Sequence, residues 1–193
     1  MQYTILDCES TGLSTNTASP VSVAYLILNE KFERVDSKIL YFSHESIPES
    51  DPGALEVHGL TRQSLMKYRK DYERNLRLLY RVMHRGNIIG HNVRKFDITL
   101  LCNFLERNKL ERPVIANVYD TMEIYNSVFK GKKKLTFIAD YCNISEETVK
   151  ILASMWFEND EKSAMDHDAS YDVTKNALVF IEAVKNKLVR GVS

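Results

Sequence analysis

Asp7 and Glu9 stand two residues apart, Asp97 closes the run His91-Asn92-Val93-Arg94-Lys95-Phe96-Asp97, and Asp172 lies five residues after His167. A packed core has no need of four carboxylates and an imidazole placed beside strand ends and helix starts. Two carboxylates ~4 Å apart repel by about 4 kcal/mol at an effective dielectric near 20, so four gathered at one point require counter-charge. Two hard divalent cations, Mg²⁺ or Mn²⁺, supply it and prefer such oxygen donors to thiolates. A pair of these ions ~3.5–4 Å apart can activate a water and stabilise the leaving oxygen of an in-line displacement at phosphorus. Without cations the same acids should hold protons more tightly than usual.

Each cluster also has an undemanding reading. With 11 Asp and 15 Glu, composition alone yields about one Asp-x-Glu pair per chain of this length. Asp71-Tyr72-Glu73 is another, and reads as a solvated helix surface. Asp7-Cys8-Glu9 differs in its place, at the end of an apolar strand and before a glycine turn, where α/β sheets bind ligands. Asp97 alone could be a first-turn acid favourable to a helix dipole. Five residues at ~100° each put His167 and Asp172 ~140° apart on a helix. The histidine therefore belongs to the preceding loop, capped at Asp166 or Asp168, where it suits proton transfer above a fixed acid.

The elements that must position these groups follow from the apolar pattern. Residues 2–8 read as an opening strand with Tyr3, Ile5, Asp7 and Glu9 on one side and Thr4, Leu6 and Cys8 on the other. Segments 21–28 and 35–42 read as two more strands, joined by a turn through Asn29-Glu30-Lys31. Residues 43–63, with Pro48, Pro52, Gly53 and Gly59, read as irregular. One or two helices are expected over 62–84 through Leu65, Leu76, Leu79, Tyr80 and Met83, ending at Gly86. A short strand at 87–90, a helix at 95–107, a strand at 114–119 and a helix at 120–128 follow. Beyond the basic loop Gly131–Lys134, helices near 135–142 and 145–155 precede a last one from about Asp168, striped by Val173, Ala177, Phe180, Ile181, Val184 and Leu188. Strands first, then strands alternating with helices, indicate a single α/β domain over residues 1–193.

Bulk composition adds limits. The 193 residues are 44% hydrophobic and 27% charged, ordinary for a soluble globular chain. Lys+Arg and Asp+Glu number 26 each, so any nucleic-acid affinity must come from local asymmetry of charge. Cys8, Cys102 and Cys142 are odd in number and widely spaced, as reduced thiols of a cytoplasmic protein would be. No signal peptide and no membrane span is read in the sequence.

The three clusters resemble the motifs of the DEDDh 3′→5′ exonucleases, the family of the polymerase III proofreading subunit and ribonuclease T. Asp7-Cys8-Glu9-Ser10-Thr11-Gly12 is similar to the first motif, D-x-E-[ST]-T-G. His91–Asp97 is similar to the second, H-N-x-x-x-F-D, and His167–Asp172 to the third, H-x-A-x-x-D. Val57-His58-Gly59-Leu60-Thr61 resembles a V-H-G-I-T stretch between the first two. The resemblance spans residues ~3–185, with the motifs in order.

It implies a ribonuclease H-like fold, a five-stranded mixed sheet flanked by helices. It implies that Asp7, Glu9, Asp97 and Asp172 hold two ions, Mg²⁺ or Mn²⁺, with Asp7 bridging, and that His167 is the general base. Ser10, Thr11, Gly12, Leu13, Ala54, Val57, His58, His91, Asn92 and Phe96 would surround the terminal nucleotide. An apolar slot of that kind grips any base through its π-face. The implied partner is nucleic acid with a free 3′ end and no membrane, with room for a polymerase or other nucleic-acid-processing complex. Release of nucleoside 5′-monophosphates from single-stranded or frayed DNA is the reading adopted. RNA trimming is the first alternative, since a pocket reads the 2′-OH outside the motifs, and a non-catalytic binding module the second. The chain ends with its last helix, so no polymerase-tethering tail of the proofreading kind is expected.

Overall fold

The computed structural model describes residues 1–158, 169–189 and 192. Five strands form one sheet in the order β3-β2-β1-β4-β5: β1 (Gln2–Ser10), β2 (Pro20–Asn29), β3 (Arg34–Tyr41), β4 (Asn87–Gly90) and β5 (Asn117–Asp120). The first three pair antiparallel, while β4 and β5 run parallel to β1. This is the five-stranded mixed sheet flanked by helices that the resemblance implied.

Side-chain alternation along the strands builds two cores. Tyr3 and Ile5 of β1, with Leu26 and Leu28 of β2, face α8 (Ala169–Lys185), where Val173, Ala177 and Phe180 are buried against them. Leu6 and Cys8, with Val23, Tyr25 and Leu40, face α3 (Tyr72–Met83) and α4 (Asp97–Arg107). The apolar positions of those two helices recur at helical spacing: Leu76, Leu79 and Met83, then Leu100, Leu101, Phe104 and Leu105. Each buried leucine or phenylalanine contributes roughly 1.5–3 kcal/mol of apolar burial.

Several boundaries differ from the sequence expectation. Segment 43–63 is not wholly irregular, because it contains α1 (Pro52–His58). No residue of α1 is buried, so it has no apolar stripe to reveal it. Its signals were proline in the first turn and Gly59 in the left-handed conformation at the C-cap (φ 64°). The 62–84 stretch divides into α2 (Arg62–Leu65), a 3-10 turn (Met66–Asp71) and α3. Strand β5 starts three residues later than expected, and Asp120 ends it rather than opening the following helix α5 (Thr121–Asn126). Helices α6 (Leu135–Tyr141) and α7 (Glu146–Trp156) lie where the pattern put them. In α8 the expected stripe is too narrow. Ser170, Thr174, Lys175 and Asn176 are buried as well, because α8 packs on the sheet and also against α5, α6 and α7. Among the described residues no helix is long and apolar enough to cross a membrane.

Candidate active site

Strand β1 runs past its neighbour. Its parallel pairing with β4 is Thr4 to Ile88 and Ile5 to Ile89, and β4 ends at Gly90. Beyond that point the β4 side of β1 has no strand partner, and the Cys8 N–H donates instead to Asp97 Oδ1 at 3.2 Å. Asp7 and Glu9 flank that amide and are half-buried. Their cross-strand partners are Ala24 and Ser22, both buried and both small. Directly opposed side chains lie about 5 Å apart, so small partners leave space around the two acids.

The turn from Gly90 to Asp97 is folded tightly enough to deliver Asp97 to this spot. A Cβ on Gly90 would lie 2.5 Å from Val93 Cβ and 3.1 Å from the Leu6 carbonyl, so only glycine permits the approach. Asn92 takes a left-handed conformation (φ 58°), which asparagine tolerates. Asp120 fastens the turn from behind. Its carboxylate accepts from Asn92 N–H (2.9 Å), Arg94 N–H (3.2 Å) and Met122 N–H (3.1 Å).

Asp97 is 4% exposed. Burial pushes its pKa up to about 6; the Cys8 thiol and main chain pull the other way, and the Asp120 charge adds to the rise. The Cys8 thiol is pushed well up by burial and by the charges of Asp97, Asp7 and Glu9, which places three of the four acids around one residue.

Asp172 reaches the same end of the sheet on the first turn of α8. Asn176, one turn later, has its Oδ1 2.8 Å from Thr121 Oγ1, and that hydroxyl lies 3.2 Å from the Gly90 carbonyl. Asn176 is therefore level with the end of β4, and Asp172 stands about 6 Å further along the helix, on the side of the strands' carboxyl ends.

Thus Asp7, Glu9, Asp97 and Asp172 share one rim. They do not close into a finished shell: among the described residues, no three His, Cys, Asp or Glu side chains lie close enough together to hold an ion as they stand. The donor chemistry nevertheless fits Mg²⁺ or Mn²⁺. It is all oxygen, and the buried Asp97 carboxyl is costly to ionise without a nearby positive charge. His167, and with it the expected Asp166 or Asp168 cap, lies outside the described residues.

The residues expected around a nucleotide divide into two groups. Ser10, Thr11 and Gly12 are buried, with Ser10 Oγ donating to the Gly12 carbonyl at 2.8 Å. The Asp51 N–H donates to the Thr11 carbonyl at 2.8 Å, bringing the start of α1 against this loop. Asn103 Nδ2 and Arg107 Nη1 of α4 hold its far side through the Thr15 and Asn16 carbonyls, at 3.1 and 2.6 Å. Leu13 (89% exposed) and Val57 (60% exposed) project apolar surface into solvent, while Ala54 and Phe96 are half-buried. His58 Nδ1 accepts from the Leu60 N–H at 2.9 Å. Its Nε2 is buried without a hydrogen-bond partner, its approach to the Ser10 main chain falling short of a hydrogen bond in geometry. Burial lowers the His58 pKa and the Ser10 main chain opposes the shift, leaving a neutral ring with an unused donor.

His91 and Asn92 are placed differently. His91 Nδ1 lies 3.1 Å from Thr121 Oγ1 and Nε2 lies 3.0 Å from the Lys133 carbonyl, so both ring nitrogens are engaged within the protein. Asn92 contributes its main-chain N–H to Asp120. Sequence reading passed over Asp120, Thr121 and Asn176. An Asp-Thr pair after a strand is an N-cap signal, and Asn176 is a polar residue four after Asp172 beside an apolar stripe.

Comparisons with known proteins bear on the family and the fold. The family profile described as Exonuclease, of the RNase T group, matches residues 4–180. Escherichia coli exonuclease I, solved in complex with a dT13 oligonucleotide, superposes with a TM-score of 0.63 at 17% identity, over 95% of this chain and 41% of that one. The zinc-bound form of its complex with single-stranded DNA gives 0.63 and 17%, covering 96% of this chain and 40% of that one. A moderately thermophilic exonuclease I from Methylocaldum szegediense gives 0.71 and 15%, covering 97% and 41%. The chain spans about two-fifths of the length of these enzymes. No curated protein sequence matches it. With the family profile covering nearly all of it and the acids gathered at the end of β1, the chain belongs to the exonuclease family of DEDDh-type 3′→5′ enzymes.

Proposed function

We propose that the chain acts as one domain that removes nucleotides from the 3′ end of single-stranded or frayed DNA, releasing nucleoside 5′-monophosphates. The observation that carries this reading is the buried Asp97 carboxylate, held by the N–H of Cys8, the residue between Asp7 and Glu9 on β1. Asp7, Glu9, Asp97 and Asp172 would hold two ions, Mg²⁺ or Mn²⁺. When bound, such ions supply Lewis-acid activation of water and neutralise charge on the leaving oxygen. His167 takes the proton of the attacking water as general base. Leu13 and Val57, the exposed apolar groups near the loop, grip the terminal base by contact rather than by reading its edges. The His58 Nε2 hydrogen and the Ser10 hydroxyl offer polar contacts to the terminal sugar. Single-stranded DNA is favoured over RNA because oligonucleotides of dT and dA occupy the exonuclease I structures that share this fold.

Digestion of 5′-labelled single- and double-stranded DNA and RNA, with Mg²⁺, with Mn²⁺ and with chelator, tests the reading. A ladder shortening from the 3′ end of single-stranded DNA, abolished by chelator, is the expected result. Internal cleavage of a strand blocked at its 3′-OH would overturn it, and faster shortening of RNA would reassign the substrate.

A further inference from the structure

Two lysines, Lys95 and Lys132, stand near the catalytic rim with no acidic partner among the described residues. A hollow of about 200 Å³ opens at the carboxyl ends of β4 and β5, between Lys95 of the β4–α4 turn and Lys132 of the basic loop, with Asp120 and Glu123 in its wall. Both acids are already engaged. Asp120 accepts three main-chain N–H groups, and Glu123 pairs with Arg94 at 3.4 Å. Neither Lys95 nor Lys132 forms an ion pair among the described residues, so both ammonium groups remain available to an incoming anion. Its volume is several times the ~30 Å³ share of a water molecule, enough for a phosphodiester group.

A free lysine run on a loop would be an ordinary solvated surface, but this one is fastened. The Lys133 carbonyl is held at 3.0 Å by His91 Nε2. Since a carbonyl can only accept, the ring hydrogen sits on Nε2. Burial lowers the His91 pKa, which keeps the ring neutral and this arrangement constant near neutral pH. Lys133 Nζ lies over the Phe137 ring, 5.2 Å from its centroid, which fixes the loop on its other side.

We propose that the hollow is a phosphate seat for the substrate strand, in which Lys95 and Lys132 take phosphodiester oxygens 5′ of the bond being cut. β5 lies two strands from β1, roughly 10 Å away at the usual strand spacing. At the ~3.4 Å rise of a stacked strand that is about three nucleotides. The inference rests on the exonuclease reading for the direction of the strand, though not for its occupancy of the seat.

The test is binding of a 5′-fluorescein-labelled single-stranded oligothymidylate, followed by anisotropy across a salt series in chelator, where no turnover is needed. The variant is Lys95→Gln combined with Lys132→Gln. The control is Lys185→Gln combined with Lys187→Gln, at the opposite end of α8 from Asp172. Each phosphate contact on a single strand contributes about 0.7 to the slope of log affinity against log salt. The seat variant should lower that slope by about 1.4 and weaken binding about tenfold or more at low salt, with the control unchanged. An unchanged slope in the seat variant, an equal loss in the control, or no binding by the wild type would overturn the seat. Reduced slope without any hydrolysis in Mn²⁺ would leave the seat standing and sink the exonuclease reading instead.

Discussion

Asp97 and Asp120 occupy matching positions, each where the chain passes from the carboxyl end of a parallel strand into a helix, and each almost fully buried. Their surroundings differ. Asp120 has three main-chain N–H donors, so its oxygens are used up in holding a turn. Asp97 has a single main-chain donor from β1, and burial pushes its pKa up to about 6. The Cys8 thiol and the main chain of Asp97 itself also favour its charged form, yet burial outweighs them, so a nearby cation would relieve a cost at Asp97. Proximity in the fold thus does not tell the two roles apart; what each carboxylate holds does, a turn at Asp120 and the rim of β1 at Asp97.

The sharpest way to break this contrast is to neutralise each acid in turn. Asp97→Asn should lower the rate of 3′-end digestion about 10³-fold, equivalent to ~4 kcal/mol, while denaturant unfolding in chelator at pH 8 shows no loss of stability. An Asp97→Asn protein that unfolds early would contradict the assignment. Asp120→Ala should do the reverse in emphasis, losing about 2 kcal/mol of stability in the same unfolding measurement because three part-buried N–H groups lose their acceptor.

The pH dependence sharpens the comparison. Burial raises the folded pKa of Asp97 from the ordinary carboxylate range to about 6, so the folded state prefers the protonated form. The associated stability is fully present below pH ~4 and is lost as pH rises through ~6, by an amount on the order of 3 kcal/mol. Unfolding free energies measured in chelator between pH 4 and pH 7 should show that decline in the wild type and not in Asp97→Asn. The smallest effect is expected from Asn176→Ala, which removes the contact level with Gly90 while leaving Asp172 itself intact. Mn²⁺ affinity by calorimetry should fall about tenfold, as for other groups that orient metal ligands, with about 1 kcal/mol of stability lost.

How far these features were readable in the sequence depended on whether a residue's role was local. The facing of β1 followed from alternation: Tyr3 and Ile5 do face α8, and Leu6 and Cys8 the opposite core. The acids could be singled out because Asp7 and Glu9 end an apolar strand and Asp97 sits between Phe96 and Leu100. Helix α1 was not readable by periodicity, since it buries nothing, although its proline and glycine caps marked both ends. Asp120 reads locally as a helix-start residue. Its partners Asn92 and Arg94 lie 28 and 26 residues away, and nothing local announces a bond across that separation. The engagement of both His91 nitrogens was equally hidden, because Thr121 and Lys133 come from elements 30 and 42 residues on.

The overrun of β1 past β4 has a consequence for what can vary at this centre. Asp97 takes its aim from a hydrogen that every amino acid except proline carries, while the thiol at position 8 adds a second hold on the same carboxyl. Swapping Cys8 for another small apolar residue would strip away the thiol's help and make the acid harder to ionise, yet keep the main-chain aim, which proline would abolish.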